Sequence, residues 1–588
     1  MSRSAVPSAD SSPASFHTAV ESEPSHRSTA ASSPLRSQHS SFRDVRPLPR
    51  ELQAHCQIFL EEQLCTPRLL VLKGKNELSL TGIADTGAIN LYNSLLGAGS
   101  SRRRRNSRPV HIPPPNHLAV LNTLLVHPVY TNRAETQSHE VATLALSYLR
   151  SLLEVVGPVN ANLRAAFQFY STPRWQRRPN YSSDAGLSDD SQDERERNQI
   201  SGSLANENSV WSRGQDFWST VGWAFNCSTL YPQRWRYWKR WLEFMLDVLQ
   251  VDWTERERLD LDAHEANGGS GAVPTTMRQE SILFMYMEQK NGPQGGFKAI
   301  MKALFADGGS LSASSFHEVF DKEPRGRYNE TKKRKRDDRV DVENDKFGDY
   351  LDDDPFSSGA SEPPTPEKPR CMRKASSFGA TFPGLTETIP LRLRLFKLLS
   401  AATFTLHKHS DVDRLYDAYA SSLKVVPLDM FALFVAQRRN PLPPDLHVTL
   451  IKVLFSFLLP SSYKDPHKVD PEGEAEARLS TAMLEHCYVL HPANTIGIED
   501  NAKLSLVVEA SIQLLWACNA LEYSESFAAA VHKGIEARSN KIKRKRTGRA
   551  KLDQDDGLAT EMLDASADRL HILLNMLQSM AREEEAVA

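Results

Sequence analysis

Along most of this chain the large apolar residues recur at spacings of three and four, the period of one helical face. Polar stretches nearly devoid of them separate the patterned blocks. The clearest helix runs from Gln233 to Val251, where Trp235, Trp238, Leu242, Met245, Leu246 and Leu249 share one face. Shorter runs lie around Ile58–Leu64, Ile89–Leu96, Leu118–Val126, Val141–Val156, Ile282–Met287 and Phe297–Phe305. A denser series follows at 391–406, 412–423, 428–437, 445–459, 475–490 and 502–521, divided by turns such as that of Pro441, Pro443 and Pro444. A final helix is expected from about Leu558 to Glu585. Leu69–Leu72 is ambiguous between strand and buried helix, and alternation at period two is scarce. The pattern predicts an all-α fold, an irregular helical bundle or α-solenoid-like array interrupted by long disordered segments. No repeat at the periods of the common helical repeat families stands out.

The polar stretches set the expected boundaries. Residues 1–46 are rich in Ser, Pro and Ala and read as a disordered tail. Residues 47–172 read as a helical block broken at 97–116 by Arg102–Arg105 and Pro113–Pro115, since three successive prolines cannot continue a helix. An acidic linker at 173–209 precedes a Trp-rich helical block at 210–320. A second linker, 321–385, precedes the helical block 386–533. A basic linker at 534–557 then leads into an amphipathic helix at 558–588.

Hydrophobic residues make up 40% of the chain and charged residues 24%, so the patterned blocks carry enough apolar mass to bury a core. The formal net charge of −2 argues against a basic face spread over a whole domain. The cations are concentrated in short runs offset by acidic stretches, so any DNA or RNA contact is expected to be local and weak. Cysteines 56, 65, 227, 371, 487 and 518 form no C-x-x-C pair, which implies a reducing compartment rather than a disulfide or zinc framework. The first residues show no apolar stretch of leader length. The longest apolar segment, Leu446–Leu459, is too short to span a bilayer and contains His447 and Lys452, so no membrane association is expected.

Few motifs suggest catalysis. Asp85-Thr86-Gly87 resembles the aspartic-protease triplet, but that chemistry needs a second carboxylate on a matching β-loop, and here Ile89–Tyr92 continues as helix. His407 with His409, and His486 and Cys487 with His491, lack the further ligands that a metal site assembles. Phosphate-binding glycine loops and the nucleophile elbow are missing. No enzyme activity, cofactor, metal or small-molecule substrate is therefore expected.

The basic runs point elsewhere. Lys332, Lys333, Arg334, Lys335 and Arg336 form one, and Lys541, Lys543, Arg544, Lys545 and Arg546 form another. Read as extended chain, each suits a nuclear-import receptor or a phosphate backbone. Ser107, Thr365 and Ser376 sit in phosphorylation patterns near basic residues, where a phosphate would lower the local positive charge.

Two features are candidates for binding partners. Trp235, Trp238 and Trp241 interleave with Arg234, Arg236, Lys239 and Arg240. They read as a packed core with a charged rim, as a protein-binding groove, or as a platform for stacking bases. Leu563, Ala567, Leu570, Leu574 and Leu577 make an apolar seam on the last helix, and L-x-x-L-L begins at Leu121, Leu149, Leu395 and Leu570. The seam suits docking on the chain's own helices or on a partner. The expectation is a nuclear phosphoprotein, a non-catalytic scaffold or adaptor of a chromosome-associated complex that binds protein subunits through helical surfaces. The rival is a nucleic-acid-binding protein, for example in ribosome biogenesis.

Overall fold

Pro115 opens the helix Pro115–Leu124, so the triple proline that breaks one element starts the next; a missing N–H costs nothing in the first helical turn. In this computed structural model residues 42–61, 86–100, 109–133, 136–170, 200–202, 204–290, 296–324, 383–437, 440–546 and 554–587 are described. Among them 72% are helical and 2% lie in strands, which makes the protein all-α. They belong to one unit, Phe42–Ala588.

We number the helices of eight residues or more. The first block holds α1 (Arg50–Phe59), α2 (Gly87–Ser100), α3 (Pro115–Leu124) and α4 (Thr136–Val155). Two short strands, β1 (Val45–Pro47) and β2 (Val110–Ile112), pair in parallel with Val45 opposite Val110. These strands correct the reading of 1–46 and 97–116 at their ends: three-residue segments are too short to show an alternating pattern. Arg43 N also donates to Val155 O at 3.0 Å, which fastens the start of the unit to the end of α4.

The second block is built on α5 (Phe217–Leu230) and α6 (Pro232–Ala266), with α7 (Gly296–Leu304) beyond them. Asp216 caps α5 by accepting from Ser219 N at 2.9 Å, and α5 is buried on nearly every side. At Gly222 a Cβ would lie 2.5 Å from the Phe316 ring, so glycine is what lets that ring close on α5. Along α6 the core face found in the sequence continues into a polar half that is also structural. Asp252 accepts from Ile282 N at 2.8 Å and Asp260 from Met277 N at 2.9 Å, so two carboxylates of one helix cap two short helices beside it. Arg256 and Arg278 neutralise them, each at 2.9 Å.

The third block comprises α8 (Pro383–Leu406), α9 (His409–Val425), α10 (Leu428–Val435), α11 (Pro444–Leu458) and α12 (Ile498–Ala517). Two further helices follow, α13 (Glu525–Arg546) and α14 (Gln554–Val587). Residues 475–490, expected as one helix, instead form Thr481–Met483 and a π-helical turn, Leu484–Tyr488. Buried arginine and lysine side chains finish helix ends here. Arg392, wholly buried, donates to Leu304 O and, at 2.7 Å, to Ala306 O beyond α7. Lys503 of α12 donates to Lys424 O at 2.6 Å and Val426 O at 2.8 Å at the end of α9. One continuous apolar core runs through all three blocks, from Leu48 to Leu577.

Candidate functional site

Arg234 stands in the first turn of α6 with no solvent exposure, and the chain surrounds its guanidinium with acceptors. Nε donates to Glu323 Oε1 at 2.8 Å, Nη1 to Thr131 Oγ1 at 2.7 Å and Asn132 Oδ1 at 3.0 Å, and Nη2 to Val126 O at 2.6 Å and to Glu323 Oε1. Glu323 is equally enclosed. Its Oε1 also accepts from Trp238 Nε1, and its Oε2 from Trp223 Nε1 at 3.1 Å and Phe320 N at 3.2 Å. A buried ion pair is tolerable only when its remaining donors and lone pairs are satisfied, and here they are. His127 lies beside it, edge-on to Phe320 at 5.0 Å; burial, then the nearby Arg234, pushes its imidazole down to about 4.

Glu323 falls in the stretch read as linker 321–385, so that boundary is corrected. The carboxylate is held because a buried guanidinium awaits it, a pairing no local pattern reveals. Across the same stretch, Glu387 of α8 accepts from Trp235 Nε1 at 3.0 Å and from Lys239 Nζ at 3.1 Å. Arg234 and Trp238 therefore hold the chain before residues 325–382, and Trp235 and Lys239 hold it after them. Two neighbouring i, i+4 pairs of α6 thus clamp the described chain on either side of residues 325–382.

This arrangement corrects the groove and base-stacking readings of the tryptophans. Trp238 and Trp241 are 0% exposed and Trp235 4%, so no incoming surface reaches their rings. Their polar edges are used internally as well, Trp241 Nε1 donating to Asn122 Oδ1 at 2.7 Å. Trp211 and Trp218 likewise donate to Ala119 O at 3.1 Å and Tyr286 O at 2.8 Å. The indoles act as core with directed hydrogen bonds.

The seam of α14 faces α12. Leu570, Leu574 and Leu577 are buried, Ser566 Oγ donates to Glu509 Oε2 at 3.1 Å, and Arg569 grips Glu509 through Nε at 2.7 Å and Nη2 at 3.0 Å. These leucines are occupied within the chain and are not available to a partner. Among the described residues, the large apolar positions that α14 leaves uncovered are Ile572 (58% exposed), Met576 (45%) and Met580 (41%), one i, i+4, i+8 stripe. The sequence reading missed this stripe because the stronger leucine seam masks it.

The second basic run is only partly a linker. α13 continues to Arg546, and the expected boundary at 534 is corrected accordingly. Lys541 Nζ donates to Ala493 O, Ile542 is buried, and Arg538, wholly buried, donates through Nη1 to Val489 O at 3.2 Å. Residues 332–336, Arg102–Arg105, Ser107, Thr365 and Ser376 lie outside the described residues, as do the side chains of Lys543, Arg544, Lys545 and Arg546.

Asp85 lies outside the described residues, and Thr86 O accepts from Asn90 N at 2.8 Å as the chain turns into α2, in keeping with the helix expected there. His407 packs beside Phe284 and Phe297, with ring centroids at 6.1 and 6.4 Å. Cys487 is buried, and its thiol is pushed up to about 11 by that burial. Among the described residues no three His, Cys, Asp or Glu side chains converge as a metal site, and no helix is long and apolar enough to cross a membrane. The sequence reading also missed a buried chain in the first block. Tyr92 Oη lies 2.6 Å from His117 Nδ1, and Tyr92 also hydrogen-bonds Cys56. Burial raises the thiol and pushes the imidazole down to about 4, so neither group is charged near neutrality.

Compared with known proteins, the chain matches no family model, no curated sequence and no solved structure.

Proposed function

We propose that this protein is a non-catalytic scaffold or adaptor subunit of a chromosome-associated nuclear complex, serving genome maintenance or transcription, with protein subunits as its partners. The observation that carries the reading is the double clamp on α6. The stretch between Glu323 and Glu387, both held by α6, bears a basic run and two phosphorylation patterns in its sequence. A body that fixes both ends of such a stretch can carry recognition signals without building them into its core. We read the architecture as an irregular bundle rather than a one-dimensional array, because α5 and α12 are covered on nearly all sides, whereas each unit of an array touches only its neighbours.

Binding of DNA or RNA is the second reading. With Arg234 paired internally and the tryptophans buried, it rests on the basic runs alone. Purification of the tagged protein from nuclei, with and without nuclease, followed by mass spectrometry, separates the two. Stoichiometric protein partners that survive nuclease and moderate salt support the scaffold. Partners lost with nuclease, together with a steep salt dependence that weakens when Lys541–Arg546 are neutralised, replace it with the nucleic-acid reading.

A further inference from the structure

A run of cations read by an import receptor must lie in the receptor's acidic groove as extended chain. In this protein the run that starts at Lys541 is instead the end of a docked helix. Gly534 brings α13 against the π-helical turn so closely that a Cβ there would fall 1.8 Å from Val489 O. One turn later Arg538 donates to that same carbonyl, Lys541 donates to Ala493 O, and Ile542 is buried at 5% exposure. Earlier in α13, His532 stacks on His571 of α14 with ring centroids 4.9 Å apart, a separate anchor for the helix before Gly534. Contacts from 534 onward thus hold the basic end in place.

We propose that the run beginning at Lys541 is a conditional import signal, for which an import receptor competes with the carbonyls of Val489 and Ala493. The inference rests on the nuclear reading above. In the docked state Lys541 belongs to the fold, and reading the whole run requires α13 to unwind and leave residues 489–493. An undocked population of about one to ten per cent lowers the apparent affinity about tenfold to a hundredfold. A ligand, a partner or a modification that loosens this contact would then switch import on.

The test uses the full-length protein with Lys332–Arg336 and Arg102–Arg105 changed to alanine, titrated with a purified import adaptor that reads basic signals. Gly534→Ala pushes the helix off Val489, and Ile542→Asn removes its apolar anchor without touching a cation. Each is expected to tighten receptor binding about tenfold by raising the undocked population. Amide exchange of residues 535–546 should accelerate in the variants. Should Gly534→Ala fail to fold, Ile542→Asn decides alone. Unchanged or weaker binding, with Lys543→Ala/Arg544→Ala/Lys545→Ala/Arg546→Ala still abolishing it, overturns the switch and leaves the import signal standing. If that quadruple variant binds as well as its parent, the import reading of the run itself fails.

Discussion

Arg234 and Glu323 face each other with neither side chain exposed to solvent, and Trp238 closes over the carboxylate from the next turn of α6. Removing one member of such a pair leaves the other charged and buried, which typically costs about 3–5 kcal/mol, whereas replacing both by apolar residues is often nearly neutral. Glu323→Leu is therefore expected to lower the urea midpoint sharply, and Arg234→Met/Glu323→Leu to recover much of the loss. A double variant as unstable as the single one would show that the pair's worth lies in its other contacts, to Thr131, Asn132 and Val126.

From the double clamp on α6 the helical body is expected to fold without residues 325–382. Their replacement by a Gly/Ser linker of about a dozen residues should leave the circular dichroism spectrum unchanged and add about 1 kcal/mol of stability, since a shorter loop costs less entropy to close. The first basic run and the Thr365 and Ser376 patterns go with it. A drop in melting temperature on excision would mean that the stretch contributes packing of its own.

The two faces of α14 should separate stability from surface. Leu570→Ala or Leu574→Ala leaves a cavity against α12 and should cost about 2–5 kcal/mol. Ile572→Ala/Met576→Ala/Met580→Ala should stay within about 0.5 kcal/mol per site, because those side chains already contact water. Thermal denaturation of the two sets checks this directly. A destabilised triple variant would place the stripe under cover.

Much of the helical framework was legible because amphipathic periodicity is a local property. The face of α6 from Trp235 to Leu249 and the seam of α14 both lie buried where their spacing put them. What spacing could not reveal was polar and long-range. Glu323 sits in a charged stretch, its partner lies far earlier in the chain, and only the fold joins them. The end of α13 failed for a different reason. Lys and Arg are good helix formers, and Ile535, Arg538 and Ile542 already stand at spacings of three and four, but the charge density made the stretch read as solvated linker. The strands β1 and β2 were too short to leave a signature. The candidate partner-binding residues lie on the buried faces of their helices, because large apolar side chains on a strong periodicity are the ones a core claims first.

Buried neutral histidines give the fold a defined acid sensitivity. His117 and His127 are held near 4, against an ordinary value of 6.5, chiefly by burial. Below 6.5 the unfolded chain takes up protons that the folded chain refuses, so the contribution of each is full above that pH and is lost as pH falls toward 4. The loss is at most about 3 kcal/mol per histidine. Asp252, whose carboxyl burial pushes up, titrates in the opposite sense, so the readout is a comparison of variants rather than the slope of the parent alone. In His117→Gln, where the side-chain amide can still serve the Tyr92 hydroxyl, urea midpoints at pH 7 and pH 5 should lie closer together than in the parent. An equal spread in the two proteins would show that His117 takes up its proton in the folded state as readily as in the unfolded one. Burial would then not be excluding the charge at the Tyr92 cluster.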